Sequence, residues 1–235
     1  LHRTALGLSI VSDKIGPSNE TSFVIDYAYS IPLSNVSKLS FGIKAGANVL
    51  NIDYTKLDMY EPNDWQFADN IDNKLRPQIG MGIYFNTDRL YLGFSIPNFL
   101  NSEHYNTSHI DDASEDAIAV ERLHYYFIAG YVFDISDEVK FKPATMVKWV
   151  NGSPLQADVS ANFLFNEKFT LGAAYRWDAA VSAMAGFQLS HQLFIGMGYD
   201  FQTTEIEKYT NGSYEVFLRF DVFKKTERIL TPRFF

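Results

Sequence analysis

The chain has 235 residues, 46% of them hydrophobic and 16% aromatic, with no cysteine and a formal charge of −8. The acidic balance argues against a nucleic-acid partner, which requires a basic footprint, and the absence of cysteine excludes disulfides and thiolate metal sites. No stretch approaches the roughly 18 uninterrupted apolar residues of a transmembrane helix, while a mean hydropathy of −0.13 suits strands whose apolar and polar positions cancel.

Thr4 to Val11 sets Leu6, Leu8 and Ile10 against Ala5, Gly7 and Ser9, the two-residue alternation of a strand. The sequence opens on Leu1 inside strand-like residues and carries no signal peptide, so it is expected to start mid-protein. SDKIGPSNE is a turn-rich loop, and Ser22 to Ile31 then puts Phe23, Ile25, Tyr27, Tyr29 and Ile31 on one face. Leu39 to Asn51 repeats the pattern, with Phe41, Ile43 and Val49 opposite Gly42, Lys44 and Asn48. A long polar connection follows, from Tyr54 to about Arg76.

Gln78 to Phe85 and Leu90 to Ile96 form a hairpin across Asn86-Thr87-Asp88. A second long loop, about Pro97 to Glu121, is acidic and lacks strand pattern. Leu123 to Phe133 and Val139 to Trp149 pair across DISDE. Leu155 to Phe165, Phe169 to Trp177 and Val181 to Leu189 follow, separated by NEK and a bend at Asp178. After SHQ, QLFIGMGYDFQ and YEVFLRFDV close the series. Leu193, Ile195, Met197, Tyr199 and Phe201 lie on one face, and Gly196, Gly198 and Asp200 on the other.

About twelve strands of roughly 8–12 residues result, the length a tilted strand needs to cross a membrane. If the four turns at Asn86-Thr87-Asp88, DISDE, NEK and SHQ share one end, both long loops fall at the other. That segregation favours an outer-membrane barrel, with short periplasmic turns and long external loops, over a soluble β-sandwich. The inferred interior then carries both signs of charge, including Lys142, Lys148, Asp158, Arg176, Asp200 and Arg219, and is expected to be laced with ion pairs and water. It also carries many small residues, among them Gly80, Gly93, Gly172, Gly186 and Gly196. These either leave room for water, a plug or an inserted segment, or relieve curvature in a coiled sheet.

Catalytic motifs are not found: no GxSxG elbow, HExxH or phosphate loop appears, and the chain reads as not an enzyme, without cofactor. His104 and His109 share the acidic loop with Asp111 and Asp112, but at no recognised metal-binding spacing, so a solvated loop is the expectation.

The string GLSIVSDKIGPSNETSFVIDYAYSIPLS (Gly7 to Ser34) is specific. With LSFGIKAG, IDNKLRPQIGMGIYF, LYLGFSIPNFL, YEVFLRFDV and the tail RILTPRFF, it resembles the PorP/SprF family of the type IX secretion system of Bacteroidota. The resemblance runs over essentially the whole chain. It implies an all-β fold: a transmembrane antiparallel β-barrel of the fatty-acid-transporter type with about fourteen strands, of which about twelve are visible here and an N-terminal part is missing. It further implies a barrel over residues 1–222 in the bacterial outer membrane and a periplasmic tail over 223–235. The implied role is binding the C-terminal (type B) domain of a secreted adhesin and anchoring it at the cell surface, as in gliding motility, with lipoprotein partners on the periplasmic side. A channel or transporter for a small hydrophobic or polar solute is the rival. Cargo is expected to dock on the external loops, through Tyr54, Tyr60, Trp65, Phe67, Phe99 and Tyr105, which either anchor a partner or pack together as a cap. The tail carries Lys224, Lys225, Arg228 and Arg233 toward a periplasmic partner or lipid head groups.

Overall fold

The protein is described from a computed structural model covering residues 3–57, 70–100 and 122–222. Among these, thirteen strands form one antiparallel sheet in chain order. They are β1 (Thr4–Ile15), β2 (Ser18–Pro32), β3 (Lys38–Ile52), β4 (Ile71–Asn86), β5 (Leu90–Ile96), β6 (His124–Tyr131), β7 (Phe133–Asp134), β8 (Val139–Val150), β9 (Gln156–Phe165), β10 (Phe169–Arg176), β11 (Ala180–Gln188), β12 (Leu193–Gln202) and β13 (Ser213–Phe220). The order starts at β1 and ends at β13, and the two-residue β7 pairs with β8 off the main path. The only other elements among the described residues are single 3-10 turns at Tyr54–Lys56 and Glu205–Tyr209.

The all-β expectation holds and the alternation placed the strands. The main departure is β4, which begins at Ile71 and absorbs residues read as loop up to Arg76. The stretch IDNKLRP hides its period. Lys74 and Arg76 face inward, Asn73 adopts a left-handed φ of 48° with its N–H donated to Asn51 Oδ1 at 2.8 Å, and Pro77 looks like a break.

The chain groups into two units. The first comprises Leu1–Ile31, Ser40–Ile83 and Ser95–Tyr125. Within it β1 and β2 pair from Thr4↔Tyr29 to Ile15↔Ser18. The two residues between them, Gly16 and Pro17, suit a type II′ hairpin: the first central position needs a positive φ, here 56°, which glycine adopts without strain. The Pro17 carbonyl accepts the Asp53 N–H at 3.1 Å, which ties this turn to the end of β3.

The second unit comprises Pro32–Leu39, Tyr84–Phe94 and Tyr126–Phe235. Within it β8 to β13 are laid down as successive hairpins with unbroken register. The β9–β10 turn places both Asn166 and Glu167 at positive φ (49° and 54°), the type I′ geometry whose twist matches the flanking strands. The residue 135–138, 166–168 and 189–192 connections lie at one end of these strands. The 151–155, 177–179 and 203–212 connections, which include the longest of these, 203–212, lie at the other.

Burial is inverted relative to a water-soluble sheet. Few hydrophobic side chains are buried among the described residues, and the buried set includes Asn48, Arg76, Lys142, Thr170 and Gln188. The apolar positions of β2, β10 and β12 point outward instead, as with Ile25, Leu171 and Met197.

Candidate binding surfaces

The outward face of the second unit is continuous apolar surface. Register aligns Phe133, Phe141, Phe163 and Leu171 in one row, and Val139, Phe165, Phe169, Phe187 and Ile195 in the next. The rings stack into a ladder, with centroid separations of 4.6 Å for Tyr131–Phe133, 6.2 Å for Phe133–Phe141, 4.8 Å for Phe141–Phe163 and 6.2 Å for Phe165–Phe169. This ladder lies at the short-turn end. At the long-connection end the same face carries Trp149, Tyr175, Trp177 and Tyr214, the last two 73% and 80% exposed. On β10 the outward positions between Phe169 and Tyr175 are Leu171 and Ala173. A patch of this size, uninterrupted by charge on β10 and β12, marks a surface covered by lipid or another protein.

The inward face explains the glycines. A Cβ on Gly196 would strike the Phe217 ring, one on Gly186 the Phe194 ring, and one on Gly130 would lie 2.5 Å from Tyr91. Gly172 is covered in the same way by Asn162 and Met184. Phe194 and Phe217 stack at 5.8 Å, and the Arg219 guanidinium lies 5.2 Å from the Phe194 centroid. Side chains from a neighbouring strand, rings at all but Gly172, therefore occupy the space left at these positions. In the first unit, Gly80 and Gly46 instead let backbone approach, against Pro97 and Phe23 respectively.

Two polar networks hold the inward face. In the first unit, a single oxygen of Glu20 accepts from Arg76 Nη2 at 2.9 Å and from Asn48 Nδ2 at 2.6 Å, and the Ser22 hydroxyl donates to Asn48 Oδ1. Arg76 is nearly fully buried, where a guanidinium persists only with a carboxylate partner. In the second unit, Arg176 lies between two carboxylates, 3.3 Å from Asp158 and 3.9 Å from Asp200, and the Ser182 hydroxyl donates to Asp200. Arg219 reaches Asp221 at 3.9 Å and Lys140 reaches Glu167 at 3.8 Å. Ion pairs were expected on this face without their partners, and the structure supplies them by joining Arg176 to Asp158 and Asp200. The Arg76–Glu20 pair was missed because Arg76 was assigned to a loop.

Of the residues expected to anchor a partner, two are described. Tyr54 is not presented to solvent: it is 6% exposed, and its N–H donates to Asn70 Oδ1 at 2.9 Å. The cause is the 3-10 turn that starts there, capped by Asp53, whose Oδ1 accepts from the Thr55 N–H and hydroxyl. The Thr55 hydroxyl, with the Lys56 ammonium next in effect, holds the Asp53 carboxyl below its ordinary range. Phe99 is half-buried and its N–H donates to the Ile79 carbonyl at 2.7 Å, which holds the chain against β4 just past β5. Tyr60, Trp65, Phe67 and Tyr105 lie outside the described residues, as do Lys224, Lys225, Arg228 and Arg233, His104 and His109. Among the described residues no three His, Cys, Asp or Glu side chains are grouped to hold a metal.

Residues 1–220 match the sequence model of a family described as "Type IX secretion system membrane protein PorP/SprF". No curated protein matches the chain.

Proposed function

The chain belongs to the PorP/SprF family of type IX secretion system membrane proteins, and from that premise we propose that it crosses the bacterial outer membrane with its strands and holds a secreted adhesin at the cell surface. The observation that carries the membrane part is the continuous apolar outward face of β8 to β13, opposite a face that keeps the ion pairs. The bound element is the C-terminal domain of the adhesin, in the type B class, and the setting is gliding motility. Lipoproteins of the secretion machinery are the periplasmic partners, met by the tail over 223–235. Catalysis has no part in this reading.

Cargo docks on the long connections over 54–70 and 97–121. With Tyr54 folded inward, the anchoring role passes to Tyr60, Trp65, Phe67, Phe99 and Tyr105. The alternative of solute transport draws on the small inward residues, and the rings seated over Gly186 and Gly196 weigh against free space there. Purifying the protein from native outer membrane in mild detergent tests the proposal. A large surface protein that co-purifies by its C-terminal domain, and is lost on deletion of residues 100–118, supports it. A protein without cargo that conducts ions across a bilayer refutes it in favour of transport.

A further inference from the structure

Along β9 to β13 the inward face changes character from one end to the other. Toward the 203–212 connection it is polar: Arg176 lies 3.3 Å from Asp158, and the Ser182 hydroxyl donates to Asp200. Toward the 166–168 and 189–192 turns it becomes apolar. Leu164 is 3% exposed, the Phe194 ring fills the space beside Gly186, and the Phe217 ring fills that beside Gly196. Register puts Leu164, Thr170, Gly186, Gly196 and Phe217 in one row across the five strands, with Met184 over Gly172 in the row beside it. Tyr91 and Val132, next to the 87–89 and 135–138 connections, are buried as well.

The layer is fastened from the turn side. The Arg219 guanidinium lies 5.2 Å from the Phe194 centroid, donates to Gln188 Oε1 at 3.5 Å and reaches Asp221 at 3.9 Å. Gln188 is itself buried and donates to the Ser190 and Leu193 carbonyls at 2.7 and 3.2 Å. Phe194 and Phe217 are therefore held between this polar latch and the bare backbone of the glycines. Water fills a passage whose walls offer hydrogen bonds and withdraws from a narrow one lined by hydrocarbon, so an apolar layer stops ions without any part having to move.

We propose that this layer is a hydrophobic seal. Water reaches the inner face of the second unit from the 203–212 end as far as the Asp158–Arg176–Asp200 network, and from the turn end as far as Gln188 and Arg219. The Leu164–Phe194–Phe217 layer between them stays dry and keeps ions from crossing along that face. A polar segment of a partner that enters from the 203–212 end stops at the network. This inference rests on the membrane-spanning reading above.

The chain has no cysteine, so a single introduced thiol reports without background. Lys168→Cys, Thr170→Cys and Ala174→Cys sample three depths along one strand: an exposed turn residue, a position 4% exposed within the layer, and a half-buried position beyond it. The full chain is placed in lipid nanodiscs, which leave both ends open to a charged maleimide. Failure to co-elute with disc lipid overturns the spanning reading and the seal together. With incorporation retained, labelling is expected at 168 and 174 and lost at 170, and it should appear at 170 once Phe194→Ala and Phe217→Ala are added. In planar bilayers the unaltered chain is expected to pass no ion current, and the Phe194→Ala/Phe217→Ala variant to pass one. If that variant loses its heat-modifiable gel mobility, Phe194→Ser alone takes its place with the same expectation. Labelling of Thr170→Cys with both rings present, ion current through the unaltered chain, or a folded ring variant that stays unlabelled at 170 and passes no current overturns the seal. Adhesin co-purification is scored separately: a chain that conducts and still retains the adhesin overturns the seal alone.

Discussion

Replacing Gly196 with alanine tests whether the inward glycines are seats for neighbouring rings. The new Cβ would strike the Phe217 ring, which is pinned by its stack on Phe194 at 5.8 Å. Overpacking of this kind costs about 1–3 kcal/mol. Phe217→Ala removes a ring that is 38% exposed, so it forfeits part of the roughly 3–5 kcal/mol of a fully buried phenylalanine, or about 2 kcal/mol. Once the ring is gone, the three closest clashes with an alanine Cβ at 196 go with it, and the alanine gains about 0.5–1 kcal/mol from the glycine's lost backbone freedom. The double variant should therefore be more stable than the sum of the singles by about 1.5–4 kcal/mol. The assay is urea unfolding in detergent micelles, followed by the loss of heat-modifiable gel mobility. Additivity within about 0.5 kcal/mol would mean that ring and glycine do not share the space, and would refute the argument.

Three further outcomes follow from the polar networks. Glu20→Ala leaves the buried Arg76 without its carboxylate and is expected to cost about 2–3 kcal/mol, while Glu20→Gln costs less because an amide oxygen still accepts from Arg76 and Asn48; both are read as shifts in the denaturation midpoint. Arg176→Gln leaves Asp158 and Asp200 facing each other, half-screened, at a cost of about 1–2 kcal/mol that adding Asp158→Asn should partly recover. Asp53 has a folded pKa below its ordinary 3.8, so its contribution to the 3-10 turn is present above that value and lost as pH falls through the depressed one. Protease protection of residues 54–57 should thus hold from neutral pH into the acid range and then fall, whereas Asp53→Ala should be cleaved faster at neutral pH and show no acid step.

Strand positions were legible because one face of each strand is uniformly apolar. Leu90–Ile96 was assigned residue for residue, and Val139 was placed correctly as the start of β8. Legibility failed where a strand lacks that contrast, as in Ile71–Pro77, and where an element is too short to show a period, as in Phe133–Asp134. Tyr54 was read as exposed because a sequence shows a polar surrounding, not the Asp53 cap that turns the ring inward. The role of Gly186 and Gly196 was undecidable without register, since the rings that cover them, Phe194 and Phe217, belong to the following strands.

The tight connection over residues 166–168, with Asn166 and Glu167 as its central turn residues, imposes an arithmetic on the gene. With a side-chain period of two and no slack between β9 and β10, inserting one codon in either strand would exchange its two faces, moving Asp158 or Arg176 outward and Phe163 or Leu171 inward. Inserting two would restore parity at the cost of a longer ribbon. Length variation within these hairpins should therefore come in even steps.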